Sequence, residues 1–201
     1  MVTEMVVGPV VLEGEHVRLE PLEETHLAGL ATVGLDPELW RWVPTPVRTI
    51  EEMAGYIETA LQEQEQGKSL PFVLVEPRTG RLIGSTRYGN IDCTHRRVEI
   101  GWTWLAREWQ RTAVNTEAKY LLLKHAFETL GCIRVELKTD SLNERSRAAI
   151  LRTGAREEGI FRNHMITASG RIRHTVYFSC VGSEWPSVKA RLETMLNPAE
   201  R

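Results

Sequence analysis

Residues 98–119 read VEIGWTWLAREWQRTAVNTEAK. On an extended strand successive side chains point to opposite faces. Glu99, Gly101 and Thr103 then share one face, and Val98, Ile100, Trp102 and Trp104 share the other. A carboxylate beside two small residues is either a solvated group on an exposed strand or one that faces a cleft and can take a proton. Downstream, Gln110, Arg111, Thr112, Ala113, Val114 and Asn115 form a loop without glycine ahead of a helix. Such junctions hold anions through free amides and the positive end of the helix dipole. Arg111 adds a cation that can meet a phosphate directly. Asn115 is a candidate helix N-cap, and it tolerates a positive φ better than Ala113 does. Asn143 and Ser146 read locally as another N-cap and a polar residue of the first turn.

These groups need a frame. A first strand with an internal turn spans 10–20, followed by a short helix closed by Gly34 and a second helix from about 50 to 66. Strands at 71–76 and 81–90 are joined by PRTG, and 95–105 adds a third, so 71–105 is expected to be an antiparallel meander. The helix over 116–130 has Ala118, Leu121, Leu122, His125, Ala126 and Leu130 at helical spacing, with Gly131 as its stop. A strand at 132–139 places Ile133, Val135 and Leu137 on one face. A capped helix then ends at Gly154, and strands near 155–166 and 172–181 are joined through TASG. The expected fold class is α/β (α+β), a mixed, mostly antiparallel sheet with helices on both faces. Residues 1–201 are expected to form one domain, with a core at about 14–182 and a C-terminal helix over 183–196.

Bulk properties narrow the classes. The formal charge is −2 at pH 7, so no basic field points to nucleic acid, and RRV at 96–98 and RIR at 171–173 read as solvated strand ends. Three cysteines without a CxxC spacing argue against a disulfide framework or a structural zinc site and fit a reducing cytosol. No run of 18 apolar residues is present, and the first residues lack the features of a signal peptide. The protein is expected to be cytoplasmic, with no membrane or nucleic-acid partner. His164 and His174 can face each other across TASG, but two histidines seldom make a metal site, so no metal is expected.

LEGEHVRLEPL near the start, VEIGWTWL, NTEAKYLLLKHAF and KTDSLNERSRAAILRTGA occur in an order and spacing that resemble the GNAT superfamily of acetyl-CoA-dependent N-acetyltransferases. Within it the chain resembles the RimJ/RimL-like branch, which acetylates protein N-termini. The resemblance spans about His16 to Cys180. It implies a GNAT fold with a cleft between strands 98–105 and 132–139. It implies acetyl-CoA as cosubstrate, with its pyrophosphate on a loop of pattern Q/R-x-x-G-x-G/A. Gln110 fits that pattern, while Ala113 and Asn115 stand where small residues are usual. Through the same resemblance Glu99 is the candidate base, with Glu157 and Glu158 as runners-up. Asn143 matches a pantetheine-binding residue, and Ser146 matches a position that can return a proton to the thiolate. Ile150 occupies the place where many other members carry a tyrosine. A backbone N–H near Trp104–Leu105 is the expected oxyanion donor.

Proton affinity sets what each acceptor would demand. Deprotonating an α-amino group costs about 1.1 kcal/mol at pH 7, and a lysine side chain about 4.6 kcal/mol. One carboxylate working through water suffices for the first, and a protein or peptide N-terminus is the acceptor that the resemblance implies. A small amine or antibiotic is the alternative, and a non-catalytic acyl-CoA-binding module is a third reading. Trp40 and Trp42, in ELWRWVPTP, either line the acceptor groove or pack as core. The chain is expected to be a monomer or a homodimer.

Overall fold

The computed structural model describes residues 5–197. Among them eight strands form one sheet: β1 (Leu12–Glu13), β2 (Arg18–Pro21), β3 (Leu70–Val75), β4 (Leu82–Asp92), β5 (Arg97–Leu105), β6 (Arg134–Asp140), β7 (Arg156–Ile166) and β8 (Ile172–Val181). Their order is β1-β2-β3-β4-β5-β6-β8-β7. β3, β4 and β5 make the expected antiparallel meander, and only β5 and β6 run parallel. A parallel neighbour requires a crossover, which is the helix α3 (Ala113–Lys124). PRTG closes the β3–β4 turn with Gly80 at φ +71, a conformation in which a side chain would be strained.

Helices cover both faces, each through an apolar stripe. On one side α3 and α5 (Trp185–Leu196) pack Ala118, Leu122, Val188 and Leu192 onto Val98, Val135 and Phe178. Ile150 of α4 (Glu144–Thr153) joins the same cluster. On the other side α1 (Leu27–Gly34) and α2 (Ile50–Glu65) place Leu30, Met53 and Ile57 against Val73, Val75 and Trp104. The mixed sheet with two helical layers matches the expected fold class. No helix among the described residues is long and apolar enough to cross a membrane.

Four local expectations fail for identifiable reasons. The alternation along β5 breaks at Trp102: Arg87 pairs with Gly101 and Ser85 with Trp104, so Trp102 and Thr103 together oppose Thr86. Trp102 sits at φ +50. One extra residue reverses the pleat beyond it. Trp104 therefore joins the α1–α2 cluster, and Thr103 faces α3, the reverse of the expected sorting. Helix α3 begins at Ala113 rather than 116, capped by Thr112 Oγ1 on the Val114 N–H, so Asn115 is not the cap. Its tail relaxes into a π turn over His125–Thr129 before Gly131. Ile133 lies outside β6 and is exposed, because the strand starts at Arg134 rather than at 132.

Candidate active site

β5 and β6 pair at Arg97↔Arg134, Val98↔Val135 and Glu99↔Glu136, and then separate. Beyond that point 101–105 pairs only with β4 and 137–140 only with β8. Each strand thus turns one edge of unpaired amides and carbonyls toward a wedge-shaped cleft. The helices that follow these strands, α3 and α4, begin at its mouth, where their first N–H groups lack helical partners. Gln110 ties the two walls together: Nε2 donates to Leu105 O at 2.8 Å, and Oε1 accepts from the Arg145 guanidinium at 2.5 Å.

Glu99 is 1% exposed, which rules out the solvated reading. Its Oε2 accepts from Asn90 Nδ2 at 2.7 Å and pairs with Lys138 Nζ at 2.9 Å. Oε1 lies over Gly101, where a Cβ would come within 2.9 Å of it. The Lys138 ammonium is also held over the rings of Trp102 and Tyr177, at 5.6 and 5.8 Å. Arg87 lies 5.0 Å from the rings of both Tyr56 and Trp102 and pairs with Glu63 at 3.1 Å. Burial first raises the Tyr177 hydroxyl above its usual range; Lys138 opposes this, and Glu99 and Glu136 add to it. A cavity of about 670 Å³ adjoins this group, lined in part by Asn90, Asp92, Arg97, Glu136 and Tyr177.

Two bulges build this arrangement. Asn90 at φ +47 and Trp102 at φ +50 turn an amide and an indole onto the face of Glu99. Sequence reasoning missed Asn90 and Arg87, since a bulge has no pattern of its own. Lys138 carried a usable signal: period-2 alternation along β6 puts it with Arg134 and Glu136, on the side away from the buried Val135 and Leu137.

The loop at 110–115 answers its own question of φ. The left-handed residue is Arg111, at φ +63, and Ala113 is already the first helical residue. The absent glycine therefore costs nothing in backbone conformation at 113. Thr112 Oγ1 occupies the Val114 amide, and the neighbouring first-turn amides point out of the helix end beside the exposed Arg111. This donor set suits a pyrophosphate.

The remaining expected residues are distributed as follows. Asn143 caps α4, its Oδ1 accepting from Ser146 N at 3.1 Å, and Ser146 lies in the first turn behind it. Glu157 pairs with Arg147 of α4 at 3.3 Å, and Glu158 with Arg134 at 2.7 Å, at the closed end of the β5–β6 pairing. Neither contacts the Glu99 group. Trp40 is core, packed on Tyr56 and Trp104 with its indole N–H on Gly34 O, whereas Trp42 is half-buried and stacks on Arg41 and Arg171. His164 hydrogen-bonds Thr175, and His174 accepts from Asn163 N. Arg173 of the RIR cluster is buried, donating to Thr175 and to Trp42 O, so that residue is not solvated, whereas Ile172 beside it is exposed.

Comparison with known proteins gives a consistent result. The family model "Acetyltransferase (GNAT) domain" matches residues 16–156. A Bacillus subtilis (strain 168) protein named ribosomal N-acetyltransferase YdaF is 36% identical over 110 residues, 55% of this chain and 59% of that protein. The chain thus spans less than two thirds of that relative. A GCN5-related N-acetyltransferase from Brucella melitensis superposes with a TM-score of 0.87 at 31% identity, covering 96% of this chain and 87% of that one. RimJ from Mycobacterium smegmatis, solved in complex with CoA-disulfide, gives a TM-score of 0.78 at 25% identity over 94% and 93% of the two chains.

Proposed function

The chain belongs to the GNAT acetyltransferase family, in its RimJ/RimL-like branch, and from that premise we propose that it transfers the acetyl group of acetyl-CoA to the α-amino group of a protein or peptide. The observation that carries this reading is Glu99, a buried carboxylate beside the β5–β6 cleft with one oxygen engaged and the other turned over Gly101. The residues present fit the coenzyme. The first-turn amides of α3 and the Arg111 guanidinium would hold its pyrophosphate, and Asn143 and the unpaired strand edges would meet its pantetheine arm. Acetyl-CoA bound there supplies an activated acyl group.

Glu99 Oε1 takes the proton of the acceptor ammonium, through a water because the carboxylate is enclosed. A backbone N–H near Trp104–Leu105 faces the oxygen on which charge develops. As the C–N bond forms and the C–S bond breaks, Ser146 or a water returns a proton to the thiolate. The low cost of deprotonating an α-amine, about 1.1 kcal/mol at pH 7, matches a single carboxylate. One continuous sheet supports treating 1–201 as a single domain, and three unpaired cysteines suit a reducing cytosol.

Thiol release from acetyl-CoA tests the reading, with a short peptide, the same peptide blocked at its N-terminus but carrying a lysine, and spermidine as acceptors. The free N-terminus should be the best substrate. Saturable acetyl-CoA binding without thiol release for any amine would favour a binding module, and preference for spermidine would favour the small-amine alternative.

A further inference from the structure

We propose that Lys138 is a positioning residue for Glu99: with Asn90 it fixes Oε2 and so leaves Oε1 as the single working oxygen. This rests on the reading of Glu99 as the base. Lys138 lies two residues beyond Glu136, the last β6 residue paired with β5, so its side chain reaches across the opening of the cleft to Glu99. Its ammonium is not free to wander, because the Trp102 and Tyr177 rings bracket it. The Trp102 bulge is what brings one of those rings to this face.

A carboxylate with two oxygens can present either one, and a base that must address one water needs a fixed choice. Here Oε2 carries both donors, and Gly101 leaves the space that Oε1 occupies. Removing Lys138 leaves a buried carboxylate with only an amide partner, which destabilises its charged form. The other charged or titratable groups around Glu99 are Arg87 on β4, Glu136 on β6, and Tyr177 and Arg173 on β8. None of them is an ion-pair partner of the carboxylate, so none replaces Lys138.

The test compares Lys138→Met, Lys138→Arg, Glu99→Gln and the Glu99→Gln/Lys138→Met double variant with a peptide acceptor. Lys138→Met should lower kcat by about tenfold or more and move the acidic limb of the kcat/KM profile to higher pH. The KM for acetyl-CoA should stay within about twofold, since the coenzyme residues are untouched. Lys138→Arg, which keeps the charge, should regain part of kcat and the original limb. The double variant should be no slower than Glu99→Gln alone, because Lys138 acts through Glu99. Wild-type kcat in Lys138→Met, or a double variant whose loss is the product of the two single losses, would overturn the proposal. If Lys138→Met does not fold, the double variant lacks the uncompensated charge, and its comparison with Glu99→Gln decides the matter. A fully active Glu99→Gln would instead remove the base reading itself.

Discussion

Glu99 and Lys119 are both buried against β5, on opposite faces of the sheet, and their surroundings differ. Glu99 has a counter-ion and an amide donor. Among the described residues, Lys119 Nζ, reaching from α3, meets only the hydroxyl of Thr103 at 2.9 Å, which is itself paired with Thr86. Burial alone lowers the Lys119 pKa to about 8. Taking a charge out of water costs several kcal/mol unless a partner offsets it. The contrast separates two kinds of buried charge: one compensated and aimed at a cleft, the other uncompensated and facing the core. On the proposed reading, function on this strand rests on the first kind, and stability should respond to the second.

Glu99→Gln should produce the largest effect. The substitution removes the proposed general base while the shape is kept, so kcat at pH 7 should fall by about 10²-fold or more. The loss should shrink toward high pH, where the acceptor amine is already neutral. A pH series of kcat with a peptide acceptor reads this, and an unchanged rate at pH 7 would remove Glu99 from the mechanism.

Lys119→Met should act on stability instead. In the unfolded chain the lysine holds its proton to about pH 10.4. In the fold it loses it near pH 8, so the unfolded state binds more protons between these values and stability rises with pH across that window. Below about pH 8 the full cost of the buried charge is present, of order 3 kcal/mol. The methionine variant should therefore be more stable than wild type at pH 7, and the two melting curves should converge near pH 10. A pH-independent difference would mean that Lys119 is not desolvated as described.

Gly101→Ala returns to the Glu99 side with a smaller change. Its Cβ would stand 2.9 Å from Glu99 Oε1, closer than ordinary packing permits, so the carboxylate must shift by a few tenths of an ångström. Displacements of that size in a positioned catalytic group cost activity more than stability. The expected loss is about tenfold in kcat, with a change in unfolding free energy of about 1 kcal/mol or less. A kcat equal to wild type would show that the orientation of Oε1 is not critical.

How much of this was legible in the sequence depends on whether a residue's role is set by period or by exception. The strand–helix order, the β3–β4–β5 meander and the Gly154 stop of α4, at φ +102, follow from alternation and turn chemistry. Glu99 could be singled out because its face precedes the Trp102 bulge. Trp104 was placed on the wrong face because it follows that bulge, and Asn90 owes its direction to a second one. Thr112 rather than Asn115 became the cap because both are good caps, and only the path of the chain after the left-handed Arg111 selects between them. Lys138 was readable from the period of β6, but its pairing with Glu99 depends on the width of the cleft, which no local pattern carries.

The smallest effect concerns the loop rather than either buried charge, and it sharpens the contrast by testing a region that needs no charge burial at all. Glycine at 113 could serve two ends, a positive φ or a close approach of the pyrophosphate to the backbone. The first is already settled: the left-handed turn is made at Arg111, and Ala113 is helical. Ala113→Gly can therefore gain nothing in conformation and should cost up to about 0.5–1 kcal/mol through the greater freedom of the unfolded chain. If the Ala113 methyl does not obstruct the pyrophosphate, acetyl-CoA at 100 times its Kd should add about 2.7 kcal/mol to wild type and variant alike in a thermal-shift titration. A shift seen only in the glycine variant would mean that close approach, not φ, is what glycine supplies at this position.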